Sequence, residues 1–225
     1  MTIRIKICCI SSIAEAQLAV AHGASALGLV GAMPSGPGPI SDDDIAKIAA
    51  AIPPPIATFL LTSRTDPQDI IEHVKFCRVN TVQLVDAIKI DDYAKLRQGL
   101  PGIKLVQVLH VCGENTLDEA KEIAPLVDAL LLDSGNPNLA VKELGGTGRV
   151  HDWSISKRIV ASVAKSVFLA GGLSAENIAQ AIKIVRPFGV DLCSSVRSHG
   201  TLDPIKLKKF FRAFHCGTGE DNDED

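Results

Sequence analysis

At 225 residues and 46% apolar content the chain suits one domain, because α/β barrels of roughly 200 to 250 residues form single units, and no linker divides it. The net charge of −3 conceals a split: five of the last six residues are acidic, and the body without them has 23 basic against 21 acidic residues, so no basic stripe marks a nucleic-acid surface. No apolar run approaches the roughly 18 residues of a membrane span and the first residues, MTIRIKICC, lack a signal-peptide core, so neither a nucleic-acid nor a membrane partner is expected, and the expected location is cytoplasmic.

Aromatic residues make up only 4%, so the core must come from Ile, Val, Leu and Ala, a composition suited to strands buried beneath helices. Short apolar runs predict eight strands at 3–9, 25–30, 56–61, 81–84, 104–111, 129–132, 167–170 and 189–193. Amphipathic stretches at 12–22, 42–51, 67–77, 117–126, 154–164 and 175–185 predict the helices between them, with a less regular one at 91–98 and a last one at 204–214. Local start signals agree: Ser41 precedes an acidic first turn, Asp66 precedes Pro67, and Ser174 with Asn177 opens the seventh helix. Eight strand-helix units in alternation predict an α/β fold, a single (β/α)8 TIM barrel with eight parallel strands. The barrel domain would span 1–216 and an acidic disordered tail 217–225. A doubly wound open sheet is the alternative.

A barrel of this kind carries its active site at the carboxyl ends of the strands. Cys8, Thr62, Gln83, His110, Asp133, Gly171 with Gly172, and Asp191 with Ser194 all fall at or just past a strand end. Asp133 closes a run of four apolar residues and leads into a loop containing Gly145, Gly146, Thr147 and Gly148, whose glycines let backbone lie close to a ligand. The plainer reading is a carboxylate that caps a turn. Glycines and serines in the last two loops, at 171–172 and 194–195, suit an anion, since this fold binds phosphate after strands seven and eight.

Cys8 shares a pleat face with Lys6 and would be a general base if it lies at the mouth, or an inert thiol if it lies deeper. Cys9 should point toward a helix as packing. His110 and His151 stay open between acid–base work and ordinary polar packing. No HxH or HExxH spacing occurs, so no metal is expected, and six cysteines without CxxC spacing read as free thiols.

Read together, these residues resemble the phosphoribosylanthranilate isomerase family of tryptophan biosynthesis. The likeness is carried by Lys6-Ile-Cys8, 23–30, Val82-Gln-Leu84, Leu131-Leu-Asp133, Gly145-Gly-Thr-Gly148 with Asp152-Trp153, 170–177 and Val185-Arg-Pro-Phe-Gly-Val-Asp191. The resemblance implies an Amadori rearrangement without metal or organic cofactor, in which Asp133 is the general acid and Cys8 the base. It also implies phosphate held at Gly171, Gly172, Ser194 and Ser195 and Asp191 facing sugar hydroxyls; Gln83, Gly146 and Arg197 are expected to complete the substrate-binding set. The partner is then a small phosphorylated molecule, and the enzyme a monomer or homodimer. Where the family has a basic residue after strand two, this chain has Pro34-Ser-Gly-Pro-Gly-Pro39, and Arg197, His151 and Arg149 are the candidates to replace it. The alternative is a relative that acts on, or only binds, another sugar phosphate.

Overall fold

A computed structural model of the chain describes residues 2–135 and 150–218. Eight parallel strands close on themselves in sequence order: β1 (Arg4–Ile7), β2 (Ala26–Val30), β3 (Ala57–Thr62), β4 (Thr81–Leu84), β5 (Lys104–His110), β6 (Ala129–Asp133), β7 (Ser166–Leu169) and β8 (Gly189–Leu192). Each is followed by a helix: α1 (Ile13–Ala21), α2 (Asp42–Ala51), α3 (Pro67–Cys77), α4 (Ile90–Gly99), α5 (Asn115–Ile123), α6 (Trp153–Ser162), α7 (Ile178–Val185) and α8 (Pro204–Thr218). A small antiparallel pair, β9 (Arg197–Ser198) with β10 (Thr201–Leu202), precedes α8. The closed barrel, not the open sheet, is the fold.

Side chains alternate across a strand, and that alternation divides the core in two. On β6, Ala129 and Leu131 face into the barrel while Leu130 and Leu132 pack under the helices. Asp133 keeps the inward parity and emerges at the carboxyl end. The same count on β1 sends Ile5 and Ile7 outward and Lys6 and Cys8 inward, and on β8 sends Val190 and Leu192 outward and Asp191 inward. Phe59 and Phe168 meet edge to face across the barrel interior, with ring centroids 5.8 Å apart, and plug it beneath these polar groups.

Several predicted boundaries move. β1 stops at Ile7 because Cys9 takes a left-handed backbone (φ 62°), which no strand continues through. α7 begins at Ile178 and not at 175: the Asn177 side chain accepts from Ser174 N–H at 2.9 Å and donates to the Gly172 carbonyl at 2.9 Å, holding the segment in a turn. The Ser41 and Asp66 caps form as expected, Ser41 accepting from Asp44 N–H and Asp66 from the N–H groups of Gln68 and Asp69. α8 continues through Gly217 and Thr218, so the expected tail loses its first two residues to helix. Its remainder, 219–225, lies outside the described residues.

Candidate active site

At the carboxyl ends of the strands the barrel opens into a pocket whose space, counted out to open solvent, is about 740 Å³. Cys8 from β1, Gln83 from β4, Asp133 from β6, Gly171 and Gly172 after β7, and Asp191 with Ser194 from β8 all line it. Seven of the residues singled out in the sequence thus share one cavity. Opposite the glycine turn the wall is apolar, formed by Val30, Met33, Leu61 and Val85. Two buried oxygens, Gln83 Oε1 and Asp191 Oδ1, have no hydrogen-bond partner, so the floor offers acceptors to a polar ligand.

Beneath the floor sits Lys6, fully buried, its ammonium donating to Asp191 Oδ2 at 2.8 Å and lying 5.4 Å from the centre of the Phe59 ring. Burial alone would lower its pKa, but the Asp191 and Cys8 charges outweigh burial and hold the amine above its ordinary value. Backbone closeness makes room for this pair: a Cβ on Gly28 of β2 would stand 2.7 Å from Cys8 Sγ and 3.0 Å from Lys6 Nζ. Glycine at that point leaves room for Cys8 at the mouth and Lys6 below it.

The acid and base candidates are tuned in opposite senses. Cys8 is held below the usual thiol range, first by hydrogen bonding from the Cys9 thiol and then by Lys6, against burial and the Asp191 charge. Asp133 is pushed above the usual carboxyl range by burial, against the Ser134 N–H, which donates to its Oδ1 at 2.7 Å, and against His110 and Lys6. A carboxyl shifted up and a thiol shifted down are displaced in the senses that suit an acid and a base at one site.

Other expectations are corrected. Arg197 does not reach the mouth: its guanidinium donates to both Glu15 carboxylate oxygens at 3.1 Å, to Gly200 O, and to the carbonyls of Cys8 and Cys9. The Ser195 hydroxyl is buried and unpartnered and does not line the pocket, while its neighbour Ser194 does. Thr62 has outward parity and bonds His73 of α3 at 3.2 Å. Cys9 is not packing under a helix; it lines the pocket with its sulfur 2.7 Å from that of Cys193. His110 bonds the Val85 carbonyl at 3.2 Å, and His151 sits behind the Gly171 turn, bonded to Ser156 at 2.7 Å. Gly146 and Arg149 lie outside the described residues. The Lys6–Asp191 pair beneath the floor and the Cys9–Cys193 contact in the wall were missed, although Cys193 stands two residues past Asp191 and so shares its strand parity.

Among the described residues one trio of metal-ligand type, Asp42, His73 and Cys77, brings its donor atoms within 4.8 Å of one another. It lies on the outer wall between α2 and α3, where His73 already bonds Asp42 Oδ1 at 2.9 Å and Arg64 approaches Asp42 at 3.5 Å. The arrangement ties two helices together and does not open into the mouth.

A (β/α)8 barrel with a buried carboxyl and a thiol sharing one pocket at the carboxyl end of the strands, facing small-residue loops after β7 and β8, has the layout of the class of barrel enzymes that act on small phosphorylated molecules. Within that class the chain belongs to the N-(5'-phosphoribosyl)anthranilate (PRA) isomerase family, whose model matches residues 5–213. N-(5'-phosphoribosyl)anthranilate isomerase 2 of Methanosarcina mazei is 38% identical over 209 residues, 92% of each chain. The isomerase of Methanocella arvoryzae is 31% identical over 92% of this chain and 95% of its own. The crystal structure of the Thermotoga maritima enzyme matches with a TM-score of 0.82 and 28% identity, over 96% of this chain and all of that one. A further isomerase, solved with reduced 1-(o-carboxyphenylamino)-1-deoxyribulose 5-phosphate, matches with a TM-score of 0.80 and 26% identity over 96% of this chain and all of that one.

Proposed function

We propose that this chain is a phosphoribosylanthranilate isomerase that rearranges N-(5-phosphoribosyl)anthranilate to 1-(2-carboxyphenylamino)-1-deoxyribulose 5-phosphate, with Asp133 as acid and Cys8 as base. The Asp133 carboxyl gives its proton to the furanose ring oxygen, the C1–O bond breaks, and the open sugar becomes a Schiff base. The Cys8 thiolate then removes the proton on C2, and the enolamine relaxes to the ketone. Lys6 and the Cys9 thiol favour the thiolate, and Asp191, anchored by Lys6, offers its free oxygen to the sugar hydroxyls. The glycine turn and Ser194 receive the phosphate, and the apolar wall of Val30, Met33, Leu61 and Val85 takes the aromatic ring. A cytoplasmic monomer or homodimer is the setting this reading implies.

The observation that carries the reading is the convergence of Cys8, Asp133 and the two small-residue loops on one pocket. Turnover tests it. The fluorescence of the anthranilate substrate should fall with the wild type, and Cys8→Ala or Asp133→Asn should each slow that fall by about 100- to 10,000-fold. Wild-type rates in both variants would reject the roles, and a folded wild type inert toward this substrate would favour another sugar phosphate.

A further inference from the structure

Neither the Cys9 nor the Cys193 sulfur reacts with substrate in the proposed rearrangement, yet the fold presses the two together. β1 and β8 close the barrel, with Ile7 opposite Leu192 in the register. The chain beyond each strand end then brings the two sulfurs to 2.7 Å, across 184 residues of sequence. A disulfide bond is about 2.05 Å long, so joining them needs an approach of roughly 0.6 Å. Cys9 is 6% exposed and also donates to the Pro37 carbonyl at 3.5 Å, whereas Cys193 is part-exposed at the rim. The outer thiol is reachable by a small reagent and the inner one is held against it.

We propose that Cys9 and Cys193 form a thiol-oxidation site, at which a low-molecular-weight disulfide converts the pair to an intramolecular disulfide that slows the isomerase. The Cys193 thiolate attacks the reagent disulfide, forming a mixed disulfide and expelling one thiolate, which takes up the proton that Cys193 released. The Cys9 sulfur, passing its proton to the neighbouring Cys8 thiolate, then attacks the Cys193 sulfur. The second reagent thiolate leaves and collects that proton from Cys8. The two protein thiols are oxidised, one reagent disulfide is reduced to two thiols, and nothing else is consumed. The bridge draws Cys9 Sγ about 0.6 Å toward Cys193 within the pocket that Cys8 also lines, and it takes away the Cys9 thiol that favours the Cys8 thiolate. The effect on rate rests on the assignment of Cys8 as base; the oxidation site itself does not.

The experiment incubates the fully reduced protein with oxidised glutathione and follows intact mass, disulfide mapping and turnover against pH. The expected result is a loss of two hydrogens mapped to Cys9–Cys193. Turnover at pH 7 should fall about tenfold, the acid limb of the pH profile should move up by about one unit, and dithiothreitol should reverse both. Cys193→Ser and Cys9→Ser should each remove the mass change and the pH shift, compared within each variant before and after treatment. No mass loss, a bridge between other cysteines, or a stable glutathione adduct on Cys8 would overturn the site. A mapped bridge with turnover and pH limb unmoved would overturn the rate effect. If the bridge forms while Cys8→Ala turns over normally, the catalytic assignment fails and the oxidation site stands.

Discussion

The chemistry of the mouth depends on a residue that never touches solvent. Lys6 is charged and buried because Asp191 answers it at 2.8 Å, and removing one partner of such a pair leaves the other ionised in a low-dielectric core. Lys6→Met should therefore lower the unfolding free energy by about 3–5 kcal/mol in urea titrations, and adding Asp191→Leu should restore much of that loss. If Lys6→Met alone is as stable as wild type, the pair is not ionic. His151 gives a pH-dependent counterpart. Burial pushes its imidazole from 6.5 down to about 4, against Asp152 beside it. The unfolded chain then takes up a proton near pH 6.5 that the folded one refuses until about 4, so this contribution is whole above 6.5 and is lost as pH falls toward 4. At about 1.4 kcal/mol per unit the loss should reach about 2–3 kcal/mol at pH 4.5. Urea titrations at pH 7 and 4.5 should show wild type losing that much more than His151→Gln, and equal losses would place the imidazole in water.

At the scale of elements, the meeting of β1 with β2 sets how closely acid–base groups can crowd. Gly28→Ala would put a methyl 2.7 Å from the Cys8 sulfur and 3.0 Å from its Cα, a clash with backbone that no rotamer relieves. It should cost about 1–3 kcal/mol in stability and lower kcat more than it raises KM, because the thiol proposed as base is displaced while the loops proposed to hold phosphate are not. A KM effect alone would mean that Cys8 sits elsewhere. Strands and helices were legible in the chain because each apolar run is short, α2 and α3 start with the recognisable caps Ser41 and Asp66, and period-two counting from Leu131 places Asp133 inside the barrel. What stayed hidden has a shared cause. Pleat parity sent Cys9 to the wrong face because the strand had already ended at Ile7, and a left-handed residue resets the count. Arg197 read as a substrate ligand because its partner, Glu15, is 182 residues away, on a helix that sequence cannot bring to it.

For the whole molecule, the seam between first and last strands is where the fold must close, and the Arg197–Glu15 clamp stands directly behind Cys8. Glu15 draws in the N–H groups of Ser11 and Leu202 at 2.9 and 2.7 Å while Arg197 holds the carbonyls of Cys8 and Cys9, so one ion pair ties β1, α1 and the β9–β10 hairpin together. Under the proposed mechanism closure and catalysis are coupled at this point, since whatever loosens the clamp also frees the peptide that carries Cys8. Arg197→Met would leave Glu15 buried without its counter-charge and should cost about 3–5 kcal/mol. Arg197 touches no pocket wall, so the loss in turnover should appear in kcat, with KM for the phosphorylated substrate changed less than about threefold. Glu15→Gln in the same background should recover stability without recovering kcat, because it removes the orphaned charge but does not restore the grip on the Cys8 and Cys9 carbonyls. A rise in KM of tenfold or more at unchanged kcat would instead mean that the guanidinium reaches the substrate, and the clamp would have to be redrawn as part of the binding site.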